Sequence, residues 1–138
     1  MIERDMQFQK PIEQDAEDAS NSYLIALIVV FPLLGFLASA LYLQNNRKSS
    51  YFVRWHCMQA LLSQAIIMPL NSYCFWWTFS VVRGDLAFST LFVITLTSVF
   101  LFNVLEVIAL IYTAVKVRAG EHVEWRLYRS LTNFICKV

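Results

Sequence analysis

Charged side chains are scarce in this chain: Asp, Glu, Lys and Arg make up 15% of 138 residues, against about 25% in a soluble domain. Glycine and proline, three of each, are too few for a long flexible linker. Three cysteines, Cys57, Cys74 and Cys136, lie far apart with no CxxC spacing; such a set supports neither a disulfide framework nor a zinc site, and reads as small apolar side chains. No GxSxG, SxxK or HExxH nucleophile or metal motif occurs, and no GxGxxG or phosphate-binding loop. The formal net charge of +1 argues against a nucleic-acid partner. What the chain has instead is apolar mass: 58% of it is hydrophobic and its mean hydropathy is +0.53, more than its own interior can hide.

That mass falls into three uninterrupted runs. Tyr23–Leu43 carries no charge over 21 residues, enough to span a hydrocarbon core of about 30 Å. Pro32 is expected to kink it, and Gly35 and Ser39 form a small-xxx-small pair that admits another helix closely. The second span is expected at residues 57–77 and ends in an aromatic cluster, Tyr73, Phe75, Trp76, Trp77 and Phe79, which suits the headgroup boundary. After the turn Arg83-Gly84-Asp85, the third covers residues 86–115 without Gly or Pro. Residues 1–22 are acidic, do not read as a secretory leader, and are expected to form a mobile tail. Gly120 suits a helix C′ position. Residues 118–138 follow as an amphipathic interfacial tail, with Val123, Leu127, Leu131, Phe134, Ile135 and Val138 on one face. The expected fold is all-α: an integral membrane three-helix bundle, residues 23–117, with a C-terminal cytoplasmic amphipathic helix. Counting Lys and Arg gives eight bases on the side of the first loop and tail and three on the other. The rule that bases stay inside then sets the N-terminus outside and the C-terminus in the cytoplasm of an inner (cytoplasmic) membrane.

Polar residues inside apolar runs are the candidate sites. Glu106 lies ten residues before Lys116, about 15 Å into the third helix. A charge there costs about 2.5–3.5 kcal/mol or more, so Glu106 should face protein or water. Thr95, Ser98, Phe102, Glu106 and Thr113 share a stripe, with Asn103 beside it. A proton or cation path is one reading. Interhelical glue, Glu106 bonded to Asn71, Ser72 or Gln64, is the favoured one. On the second helix His56, Gln59 and Ser63 share a face at i, i+3 and i+7; with Arg54 they are expected to contact neighbouring helices at the cytoplasmic end. His56 and His122 fall on the same side and could ligate haem or a metal, but no supporting ligand pattern accompanies them, so no metal or cofactor is expected.

The stretch Ser50–Leu62 reads SYFVRWHCMQALL. It resembles the FVRFHAMQALL signature of small bacterial membrane proteins grouped with the twenty-kilodalton subunit of the chloroplast inner-envelope protein translocon, with Trp55 in place of Phe and Cys57 in place of Ala. Ala26 to Leu34 resembles that family's ALxYLxPLL first helix, and Ala114 to Glu121 its AIKAYRGE ending, so the resemblance covers about residues 23–130. It implies a multi-pass membrane protein related to a translocon subunit regarded as a channel component. The expected function is non-enzymatic: a small subunit docking on a larger membrane complex, with protein export or translocation as the candidate process. The lipid bilayer and other membrane-protein subunits are the expected partners. Two rivals stand beside it, a homo-oligomeric channel using the Thr95–Glu106 stripe and, more weakly, a haem- or quinone-linked electron-transfer subunit.

Overall fold

A computed structural model describes residues 11–27 and 32–136. Among them are five helices and no strand: α1 (Glu13–Ala26), α2 (Pro32–Asn45), α3 (Tyr51–Val82), α4 (Thr90–Arg118) and α5 (Arg126–Cys136). The all-α class holds.

Helix α1 starts where the acidic tail was expected. Glu13 and Asp15 sit in its first turn, where negative charge complements the helix dipole. Ala16, Ala19, Ser20, Tyr23 and Ala26 recur on one stripe and are all buried. The stripe's small residues let α1 approach α4 closely enough for the Ser20 hydroxyl to donate to the Ala114 carbonyl at 2.9 Å. Residues 13–22 are therefore a packed helix; the part of the expected tail at residues 1–10 lies outside the described residues.

The expected first span, residues 23–43, is not one helix. Helix α1 ends at Ala26 and α2 opens on Pro32, a position where the missing N–H is no loss. The Tyr42 hydroxyl, near the end of α2, donates to the Asp18 carbonyl, near the start of α1, at 3.0 Å; the two helices lie antiparallel. Each has 14 residues, about 21 Å at helical rise, short of the roughly 30 Å a hydrocarbon core requires. Pro32 thus starts a helix where a mid-span kink was expected. Gly35 and Ser39 are the buried residues of α2, which packs on α3 and α1.

The other two expected spans correspond to α3 and α4, which have 32 and 29 residues and are long and apolar enough to cross a membrane. Ser50 caps α3 by accepting from the Val53 N–H at 3.5 Å, and Ser89 caps α4 by accepting from Phe92 at 3.2 Å. Pro69 lies inside α3 and leaves one carbonyl of the preceding turn without its donor. The turn between the helices uses Gly84 at φ +81, a conformation that a side chain disfavours. At the end of α4, Gly120 takes φ +83. Its N–H bonds the Val117 carbonyl at 2.9 Å and the Glu121 N–H bonds the Lys116 carbonyl at 3.1 Å, closing the helix with a Schellman motif.

The core occupies one end of this hairpin. Ala19, Tyr23 and Ala26 pack with Phe52, Val53, Cys57, Ala60 and Ile67 of α3 and with Leu110, Ala114 and Val117 of α4. Past Ile67 on α3, and before Glu106 on α4, only Cys74 and Phe92 are buried. Leu70, Tyr73, Phe75, Trp76, Phe79, Leu91, Ile94, Phe100, Leu101 and Leu105 are exposed there, an apolar surface far larger than a monomer in water keeps. One end of the molecule is thus a packed, polar-lined cap and the other an apolar hairpin. Glu17 pairs with Arg118 at 3.5 Å and Pro11 lies against Gly120, so the described N-terminal residues share the cap end with residues 114–122. The expected placement of the two terminal segments on opposite sides does not fit this geometry.

Candidate functional site

At the cap, α3 presents His56 and Gln59 one turn apart, both fully buried. Tyr23 of α1 and the segment after Gly120 close over them. The Gln59 amide donates to the Tyr23 hydroxyl oxygen at 3.0 Å and to the Val123 carbonyl at 3.3 Å, and its own oxygen accepts from the Trp125 N–H at 3.1 Å. The Trp125 indole donates to the Thr113 hydroxyl of α4 at 2.8 Å. The Trp55 indole donates to the Asn133 oxygen of α5 at 2.8 Å. One glutamine and two tryptophans therefore tie the chain's last segment to α3 and α4, and Gln59 also bonds Tyr23 of α1.

A second set of bonds runs through the imidazoles. Tyr23 Oη lies 2.7 Å from His56 Nδ1, His56 Nε2 lies 3.2 Å from His122 Nδ1, and His122 Nε2 lies 3.2 Å from Glu124 Oε1. Glu124 also pairs with Arg129 at 2.6 Å. The proton inventory gives this chain a direction. The Tyr23 oxygen already accepts from Gln59 and Tyr23 is fully buried, so its proton goes to His56 Nδ1. A neutral imidazole has one donor and one acceptor. His56 then donates from Nε2 to His122, and His122 donates from Nε2 to the Glu124 carboxylate. Aromatic rings wall the pair: Phe52 lies 4.5 Å from His56 and Trp55 4.5 Å from His122, centroid to centroid. Burial lowers the proton affinity of His122, and this outweighs the opposite pull of Glu124. The arrangement can transmit polarity from a buried phenol to an exposed guanidinium.

Both nitrogens of His56 are engaged, Nδ1 by Tyr23 and Nε2 by His122. Of the other expected site residues, Ser63 is buried one turn beyond Gln59, donates to the Ala60 carbonyl at 3.0 Å, and faces Glu106. Arg54 lies near Tyr51 and Cys136, with its Nε buried and without a hydrogen-bond partner. Asn103 pairs reciprocally with Asn71 across α3 and α4, at 2.8 and 2.9 Å. Asn71 is thus committed elsewhere, and Glu106 is buried with Oε1 unpartnered. Along the expected Thr95–Glu106 stripe Ser98 and Phe102 are exposed, and Ser98 bonds back to its own helix at Ile94; no continuous polar lining results. Tyr23, Glu124, Trp125, Arg129 and Asn133 were not anticipated, and Thr113, expected on the Glu106 stripe, instead accepts from Trp125. A signal for two of them is the pattern Glu121-His122-Val123-Glu124-Trp125, a polar stretch with a tryptophan squeezed between a helix-ending glycine and the next helix.

The family model MamF_MmsF, described as the magnetosome magnetite crystal formation protein family, matches residues 17–135. No curated protein and no solved structure matches the chain. The family match, which runs from α1 through α5, overturns the resemblance to the chloroplast translocon subunit and with it the protein-translocation reading.

Proposed function

We propose a function from the premise that the chain belongs to the magnetosome magnetite crystal formation protein family, whose model spans nearly all of it. It is a membrane protein that acts in magnetite crystal formation as a non-enzymatic, membrane-anchored structural factor. Helices α3 and α4 anchor it as a two-span hairpin. The cap built from α1, the His122–Trp125 segment and α5 stands at the membrane surface as the working end. The observation that carries this reading is the division of the molecule: an apolar hairpin with bulky side chains exposed, and a cap whose polar groups bond one another across three helices and the His122–Trp125 segment. Such a cap supports a fixed shape. The base-rich end, with Arg47, Lys48, Lys116, Arg118, Arg126 and Arg129 against Arg83 at the tip, faces the cytoplasm by the positive-inside rule.

The test is complementation of a magnetite-forming strain from which the chain has been deleted. Gln59→Leu and His56→Ala should reach the membrane fraction yet leave crystal dimensions, measured by electron microscopy, as in the deletion strain. Crystals restored to full size by both variants would refute a working role for the cap.

A further inference from the structure

The imidazole pair joins two parts of the molecule that have no covalent reason to stay together. His56 belongs to the packed bundle, and His122 begins the segment that carries α5. We propose that the His56–His122 contact is a pH-operated clasp that holds residues 121–136 on the bundle at neutral pH and releases them on acidification.

The direction follows from the bonds. The nitrogens that meet at 3.2 Å are the His56 donor and the His122 acceptor. A proton added at His122 Nδ1 turns that acceptor into a second donor, and two N–H groups then face each other with positive charge behind one of them. A proton added at His56 Nδ1 instead puts the charge in a fully buried position walled by Phe52 and Trp55, with Glu124 beyond the second ring. Released, both residues can be protonated in contact with water. Acid therefore favours release, the state that binds more protons. The lowered proton affinity of His122 in place has the same sign: the clasp is fully closed above the ordinary imidazole value of about 6.5 and loses hold as pH falls below it.

The surrounding groups do not supply the same switch. Helix α1 presents Tyr23, which accepts no acid-range proton. Helix α3 contributes Cys57 and, at the edge, Arg54. Helix α4 contributes Thr113 and, at its end, Lys116 and Arg118, paired with Glu121 and Glu17. The tail contributes Glu124 and Arg129, paired with each other. The remaining ties of the segment, Gln59 to Val123 and Trp125, Trp125 to Thr113 and Trp55 to Asn133, are neutral hydrogen bonds. They are indifferent to pH in this range and make the clasp reversible.

The clasp is a property of the chain alone, so its test needs no mineral and stands or falls apart from the role in crystal formation. Ser130 is exposed on α5. A nitroxide on Ser130→Cys, in the full chain with its three cysteines replaced by alanine and reconstituted in lipid vesicles, reports the motion of the segment. Between about pH 8 and pH 5 the line shape should pass from immobile to predominantly mobile, reversibly, with a midpoint below about 6.5, while helix content by circular dichroism stays within a few per cent. His122→Gln should abolish the transition; if it does not fold, His56→Gln serves, because either removes one half of the pair. A segment immobile throughout, or a transition unchanged in both variants, overturns the clasp.

Discussion

Gln59→Leu is the sharpest single perturbation of the cap. Leucine fills nearly the same volume but deletes two donated hydrogen bonds and one accepted. The Trp125 N–H and the Val123 carbonyl are then left without their partner, and Tyr23 loses the donor that sets the direction of its own proton. At about 1 kcal/mol net for each bond, with more for a stranded buried group, the loss is about 3 kcal/mol. For a chain of this length that corresponds to a fall in thermal midpoint of about 10 °C. Unfolding followed by circular dichroism in lipid nanodiscs measures it. Ser98→Ala is the control, because Ser98 is exposed and bonds only its own helix at Ile94; it should change the midpoint by less than about 1 °C. A Gln59→Leu shift no larger than that of the control would refute the account of the cap as a hydrogen-bonded lock.

Asn71→Leu should cost about 0.6–1.7 kcal/mol, the range for interhelical hydrogen bonds in membranes, and adding Asn103→Leu should cost little more, because the two amides bond each other; additive losses in the double-mutant cycle would contradict the pairing. Arg118→Ala should leave the unfolding free energy within about 0.5 kcal/mol of the parent, because both partners of the Glu17 pair are more than half exposed, at 56% and 62%; a large loss would mean that the pair carries α1 onto α4.

The hairpin of α3 and α4 was legible because each helix is a long apolar run flanked by charge, and hydropathy reads such runs well. The first expected span misled because hydropathy follows apolar content and not packing. The buried stripe of α1 begins at Ala16, inside the polar stretch, and crosses into the apolar run at Tyr23. Only the spacing of Ala16, Ala19, Ser20, Tyr23 and Ala26 betrays that α1 ends as a unit before Pro32. The expected sidedness rested on that span, which the structure divides into α1 and α2. At the site, His56 and Gln59 were legible because two polar residues one turn apart on an apolar helix require partners. The partners were not, since Tyr23 lies 33 residues away and His122 lies 66 residues away, and local pattern holds no register for such distances. Glu106 drew attention for its cost in hydrocarbon; it faces Ser63 of α3, and its neighbour Asn103 bonds Asn71 of the same helix.

The whole account rests on a two-span hairpin whose cap gathers both ends of the described chain. Two-sided labelling tests that directly: single cysteines at Ile12, Glu121 and Arg83, each introduced in turn into a chain whose own three cysteines are alanine, reacted with a membrane-impermeant maleimide in sealed vesicles and again after opening them. Ile12→Cys and Glu121→Cys should label from one face and Arg83→Cys from the other; labelling of Ile12→Cys on the same face as Arg83→Cys would restore the third span and contradict the cap.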